Sequence, residues 1–290
     1  MGSNKDNDVL EVNLFDYNIA HATSYDDSLE KGRIEPGIKY IRDYDPQRVS
    51  VFTDNMLSQV DNKPGIINVA WIMEPIDFAP TSYKYLSQNY KKFDLILTHN
   101  LDVIDKHLSE VDCRYVTADG IFLDTPALDK ANHNKSRLCS HIFSSKRSLP
   151  GHRLRHDIAT MLPNSFDMFG SGTGKWLEKK SDALRDYYFS VSIENSRSRG
   201  YFTEKIMDCF ATRTVPIYWG DAHVWEYFNK DGAIRFDTLE QLKDIINGIN
   251  KEMYDEMLPA IEQNYELCIK SCYSVDRQVK QHIQEFIKSR

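Results

Sequence analysis

The sequence predicts an α/β protein built of two Rossmann-like domains facing a cleft. Three observations carry this. Short apolar runs alternate with amphipathic stretches along the whole chain, as strands alternate with helices in βαβ units. The length, 290 residues, is about two domains' worth of chain. Hydrophobic residues make up 41% and charged residues 27%, which is globular usage and not that of a disordered chain.

In the first half, apolar runs place strands at 10–15, 49–53, 66–72, 95–98 and 114–117, with helices at 37–43, 82–90 and 102–109 between them. The run from Ile66 to Ile72 follows Pro64-Gly65 and is almost wholly apolar, as expected of a strand buried on both faces of a parallel sheet. From 125 to 136 the sequence is polar and aperiodic, so the domain junction is placed there, giving domains 1–135 and 136–290. In the second half, strands are expected at 138–143, 165–169, 189–193 and 215–219, and helices at 152–162, 182–186 and 203–211. The tail, 239–249 and 251–288, reads as helical and as part of the second domain. Ligands of such sheets bind at the carboxyl ends of the strands.

Charge and composition exclude several classes. Lys and Arg number 36 against 43 Asp and Glu, a net charge of −7, which argues against a general nucleic-acid binder. No apolar run approaches the roughly 18 residues of a membrane-spanning helix. The first eight residues are polar and do not form a signal peptide. Five scattered cysteines (Cys113, Cys139, Cys209, Cys268 and Cys272) do not suggest a disulfide framework and favour a reducing compartment. The expectation is a cytoplasmic or otherwise soluble protein, bacterial or viral in type, or the catalytic piece of a longer one.

Two motifs fail on inspection. Gly170-Ser171-Gly172-Thr173-Gly174-Lys175 is one residue short of a phosphate-binding P-loop. Trp176 also stands where a metal-binding Ser or Thr belongs, so the segment reads as a flexible loop. His152 and His156 have the spacing of a metal pair, but Arg153 and Arg155 beside them would repel a dication, so no metal site is assigned. Cys268 and Cys272 share that spacing and read as structural thiols.

The informative stretch runs from Ser192 to Asp208. A strand delivers Glu194-Asn195 at its carboxyl end, and a polar loop with Gly200 leads to a helix that Thr203 can cap. Helix N-termini attract anions, and Lys205 in the first turn adds a full positive charge. Glu204 beside it suits the vicinal hydroxyls of a ribose. These residues suggest a nucleoside diphosphate, with Lys205 on phosphate, Glu204 on ribose and Tyr201 against sugar or base; a solvated helix start with a neighbouring charge pair is the plainer alternative.

Extended through Val215-Pro216-Ile217-Tyr218-Trp219-Gly220, the stretch resembles the signature of the α1,3/4-fucosyltransferases, glycosyltransferase family 10: Glu-Asn, a short loop, Tyr-x-Thr-Glu-Lys, a helix, then Val-Pro-Ile-Tyr-Trp-Gly. The resemblance reaches back to about Cys139 and forward through Phe228 and Phe236. It implies the GT-B architecture, inversion at the transferred sugar, and GDP-fucose as donor, bound mainly by the second domain. Carried over by position, Asn195, Tyr201, Glu204 and Lys205 bind the donor and Glu194 shapes the pocket. The family's upstream arginine falls on Arg155 or Arg153, with Arg155 preferred from the apolar positions after it. The family's proposed general base, a glutamate just after a strand of the first domain, falls on Glu74, with Asp77 as competitor. The resemblance also implies a glycan acceptor. No Asp-x-Asp pair is placed to hold a diphosphate, so basic side chains are expected to take the place of an obligatory metal, and a divalent ion would at most stimulate. Competing readings are a transferase of the same architecture with another nucleotide sugar, and a nucleotide-sugar-binding protein without turnover.

Overall fold

Eleven strands form two wholly parallel sheets in a computed structural model that describes residues 9–17, 37–61, 63–118, 120–123, 125–271 and 275–290. The first sheet comprises β1 (Leu10–Phe15), β2 (Ile38–Ile41), β3 (Val49–Thr53), β4 (Asn68–Ile72), β5 (Leu95–Thr98) and β6 (Asp112–Tyr115) in the order β2-β1-β3-β4-β5-β6. The second comprises β7 (Arg137–Ile142), β8 (Asp167–Phe169), β9 (Tyr187–Ile193), β10 (Val215–Trp219) and β11 (Ile234–Arg235) in the order β11-β10-β9-β7-β8. In each, the chain runs outward on one side and then returns to build the other. The strand order therefore reverses between β1 and β3 in the first sheet and between β7 and β9 in the second. Crevices for ligands open at the carboxyl ends of strands at such reversals.

The first unit contains Met1–Asp119 and Tyr273–Arg290, and the second contains Gly120–Cys272. Both faces of the first sheet are covered. Val12, Tyr40, Val51, Val69, Trp71 and Leu97 pack with Val275, Val279, Ile283 and Phe286 of the last helix, Val275–Ser289. Phe52, Ala70, Ile72 and Ile96 pack with Tyr83 and Leu86 of the Pro80–Asn89 helix. Every residue of β4 is buried, which accounts for its almost wholly apolar sequence. In the second unit, Phe189, Val191, Val215 and Ile217 pack with Ile158 of the Pro150–Met161 helix and with Leu242, Tyr254 and Ile261.

The division differs from 1–135 and 136–290 in two ways. The chain leaves the first unit earlier, and its last helix belongs to the first unit, so the tail is not all part of the second. The helix presents Val275, Val279, Ile283 and Phe286 at helical spacing, a stripe that fits either sheet as far as sequence goes. The buried Tyr40 hydroxyl donates to Asp276 Oδ1 at 2.8 Å and fixes the choice locally.

Residues 37–43 are not helical as expected. Ile38–Ile41 is a strand beside β1. Ile38 and Tyr40 point inward while Lys39 pairs at 3.2 Å with Glu11, its register partner, an alternation of period two that four residues display too briefly to outweigh a helical reading. The expected helix at 182–186 is a 3₁₀ turn, Lys180–Ala183, and β11 was not foreseen.

Candidate active site

A cavity of about 320 Å³ opens in the second unit at the β7/β9 reversal. Its wall takes Ile142, Phe143, Ser144 and Lys146 from the end of β7 and the loop beyond, and Ile193 and Asn195 from the end of β9. His152 and Arg155 come from the Pro150–Met161 helix, and Glu204 and Lys205 from the Glu204–Ala211 helix. Two helix N-termini and four cationic side chains, counting Lys180, thus meet around one space. That arrangement suits an anion, because free N–H groups, the macrodipole and full charges act in the same sense.

Gly151 lets the first helix approach. A Cβ there would lie 1.7 Å from the carbonyl oxygen of Glu194, and its N–H donates to the Asn195 carbonyl at 3.1 Å. This brings Arg155 over the end of β9. Its Nη2 donates to the Ile193 carbonyl and, at 2.9 Å, to Asn195 Oδ1. Asn195 therefore orients the guanidinium as well as lining the cavity. Burial lowers the Arg155 pKa, and Glu194 and Glu204 oppose that change. Arg153, two residues earlier, is exposed, and its Nη1 donates to the Ser148 carbonyl. Of the two candidate arginines, only Arg155 stands on the wall.

Glu194 is fully buried and lies behind the wall. Its carboxylate accepts the Thr203 N–H at 3.0 Å and the Thr203 hydroxyl at 2.7 Å. Thr203 caps the Glu204–Ala211 helix by accepting from the Lys205 N–H at 3.4 Å, and it also accepts from Lys205 Nζ at 2.9 Å. Glu194 thus sets where that helix begins. Burial raises its pKa, with the Lys205 charge acting against the rise. Tyr201 is buried and sits outside the wall.

Lys205 Nζ also reaches Glu204 at 3.0 Å, and Lys180 Nζ lies 3.6 Å from Glu204 and 2.6 Å from the buried Asp208. Desolvation works against the Glu204 carboxylate, but Lys205 and Lys180 outweigh it and hold its pKa far below the usual range. Desolvation likewise opposes the Lys180 ammonium, and Asp208 and Glu204 outweigh it and raise its pKa. Lys180, Lys146 and His152 are wall residues that the sequence reading did not assign. Only the charge of Lys146 and Lys180 could have suggested them, since nothing local ties either to the signature stretch.

The glycine-rich segment is a pinned turn. Gly170 N–H donates to the Lys175 carbonyl at 2.9 Å and Gly172 N–H to the Phe143 carbonyl at 3.1 Å. Gly170 has φ +96°, and a Cβ there would meet the Phe143 carbonyl oxygen at 2.4 Å. Gly170 and Ser171 line the cavity. His156 Nε2 lies 3.2 Å from the Lys146 carbonyl, and His152 Nδ1 faces the Leu149 N–H, so neither imidazole has both nitrogens free. Cys113, Cys139, Cys209 and Cys268 are buried free thiols, while Cys272 lies outside the described residues.

Glu74 follows β4 at its carboxyl end, in the first unit, and is half-buried. Beneath it is a feature the sequence did not reveal. Asp54, just after β3, is buried with φ 30°. Its Oδ1 accepts the N–H groups of Met73 at 3.1 Å and Glu74 at 3.3 Å, while the Tyr83 hydroxyl donates to the Glu74 carbonyl at 3.0 Å. Backbone strain of this kind clusters at functional sites. Asp77, the competing carboxylate, is exposed.

Desolvation raises the Asp54 pKa to about 7, against the backbone N–H groups that stabilise its charge. A carboxyl whose folded pKa lies above its unfolded value supports the fold below about pH 4, and that support is lost as pH rises through about 7. Asp54→Asn keeps an acceptor for both N–H groups and removes the titration. The apparent Tm of the variant should therefore gain on the wild type as pH rises from 4 to 8. A Tm difference that is constant over that range would show that Asp54 does not titrate in this way.

The fold and the cavity together define the class: two parallel α/β units with an anion cavity at the strand reversal of the second, the fold of the GT-B glycosyltransferases. Residues 133–259, all within the second unit, match the C-terminal domain of glycosyltransferase family 10 (fucosyltransferase). It is 32% identical over 87 residues to the α-(1,3)-fucosyltransferase FucT of Helicobacter pylori, a match spanning 28% of this chain and 18% of that protein. In fold it is similar to an α1,3-fucosyltransferase crystallised with GDP, with a TM-score of 0.54 at 17% identity over 97% of this chain and 92% of the other. It is similar also to TarM, with a TM-score of 0.54 at 11% identity, over 82% of this chain and 54% of TarM. Among the described residues no helix is long and apolar enough to cross a membrane.

Proposed function

We propose that the chain transfers fucose from GDP-fucose to a hydroxyl of a glycan acceptor, with inversion at the anomeric carbon. The observation that carries this is the convergence of Arg155, Asn195, Glu204 and Lys205, from two helices and a strand end, on the cavity at the β7/β9 reversal. These are the positions that match the family's donor signature, and the fold relative crystallised with GDP supports a guanine nucleotide as ligand.

In this reading the acceptor oxygen attacks the anomeric carbon, the bond from that carbon to the β-phosphate oxygen breaks, and GDP departs. Glu74 takes the acceptor proton. The sugar passes through an oxocarbenium-like transition state. Negative charge grows on the β-phosphate, and Arg155 and Lys205 stabilise it through charge-assisted hydrogen bonds. Glu204, held ionised by two lysines, accepts from the ribose hydroxyls. Side-chain cations serve here as the counter-charge to the diphosphate, so turnover is expected to proceed without an obligatory metal.

A thermal-shift panel of GDP, UDP, ADP, CMP and GDP-fucose, with and without chelator, tests the reading. A ligand that binds only the native state raises apparent stability by mass action. Shifts with GDP and GDP-fucose alone, unchanged by chelator, are the expected result. A shift with UDP alone would replace the donor, a GDP shift abolished by chelator would restore a metal, and no shift with any nucleotide would defeat the proposal.

A further inference from the structure

His152 is 5% exposed and lines the cavity, yet the mechanism above does not use it. It is the third residue of the Pro150–Met161 helix, and its Nδ1 accepts the Leu149 N–H at 3.3 Å, with the Ser148 hydroxyl also 3.3 Å away. A backbone N–H can only donate, so Nδ1 carries no proton and the hydrogen of the neutral ring sits on Nε2. Among the described residues Nε2 has no hydrogen-bond partner. The helix start therefore fixes one tautomer and leaves the second ring nitrogen of a buried residue on the cavity wall as an N–H donor.

The charged groups around this ring are Arg155 on its own helix, Lys146 from the loop after β7, and Lys205 from the Glu204–Ala211 helix; the His156 imidazole lies one turn along the same helix. The cavity's carboxylate, Glu204, is engaged by Lys205 and Lys180. Desolvation first, and then these cations, lower the His152 pKa to about 4. The ring is thus neutral at physiological pH, and it stands where the cations converge.

We propose that His152 is a donor-substrate-binding residue whose Nε2–H donates a hydrogen bond to the diphosphate of the nucleotide sugar. The inference rests on the nucleotide-diphosphate reading of the cavity and adds to it a neutral, directional contact. Arg155, Lys146 and Lys205 attract the anion by charge, whereas a ring locked by the helix cap constrains where an oxygen sits. Protonation of Nδ1 would break the Leu149 bond, so the ring acts as a hydrogen-bond donor and not as a proton source.

The test combines nitrogen-15 histidine NMR with calorimetry on the whole chain. The free protein should show His152 as the Nε2–H tautomer, without titration between pH 5 and 8. Saturation with GDP should move the Nε2–H resonance downfield. His152→Gln retains an acceptor for the Leu149 N–H, as glutamine does at this helical position in a capping box. It should bind GDP about 10-fold more weakly while its affinity for guanosine stays the same. An Nδ1–H tautomer, an imidazolium in the free protein, or an unmoved resonance with GDP bound would overturn the proposal. So would equal losses for GDP and guanosine, which would mark His152 as structural. Failure of the wild type to bind GDP at all is a separate outcome that overturns the functional reading and this inference with it.

Discussion

Arg155→Ala is expected to weaken GDP binding by about 100-fold while leaving guanosine binding nearly unchanged, a difference of ~3 kcal/mol carried by the diphosphate. The guanidinium is buried and already oriented by the Ile193 carbonyl and Asn195, so little freedom remains to be lost when an anion arrives. Arg155→Lys keeps a charge but loses the planar fork, and it should fall between wild type and alanine. Asn195→Ala should show a smaller version of the same loss, because it releases the guanidinium without removing it. Calorimetric titration of each variant with GDP and guanosine, after circular dichroism confirms folding, reads the effect. A folded Arg155→Ala protein with wild-type GDP affinity would remove Arg155 from the diphosphate site.

Glu74→Gln should lower transfer by about 100-fold to 10,000-fold with GDP-fucose affinity unchanged, the range by which a positioned general base accelerates a proton transfer. The substitution leaves the local backbone undisturbed, since Asp54 accepts from the Glu74 N–H and Tyr83 donates to its carbonyl. Asp77→Asn is the control for the competing carboxylate and should be nearly silent. Single-turnover rates measured beside donor affinity separate the chemical step from binding. Full activity in Glu74→Gln, or a larger loss in Asp77→Asn, would move the base elsewhere.

Some of this was readable from the residues alone. The strands at 10–15, 49–53, 95–98 and 215–219 appear where the apolar runs placed them, and Thr203 caps the helix that carries Glu204 and Lys205. That stretch is legible because it is local: strand end, loop, cap and first helical turn all lie within about fifteen consecutive residues, and each follows from short-range propensity. Arg153 and Arg155 could not be separated in this way. They lie two apart on one helix, and which one faces the sheet depends on Gly151 docking against Glu194, a contact between segments more than forty residues apart.

Asp54 shows the same limit more sharply. Nothing in Thr53-Asp54-Asn55 distinguishes its carboxyl from an exposed loop acid. Its burial and its pKa of about 7 arise because β3 and β4 are neighbours and their ends share one acceptor.

The sequence by itself determined the alternation of strands and helices, the parallel character of the buried runs, and the local apparatus of Glu194, Thr203, Glu204 and Lys205. Tertiary structure decided that the last helix covers the first sheet, and that Lys146, His152, Arg155 and Lys180 meet Glu204 and Lys205 around one cavity. The physical reason is range. Periodicity and capping act over one or two turns of chain, whereas burial and charge depend on which distant segments the sheet order brings within a few ångströms of one another.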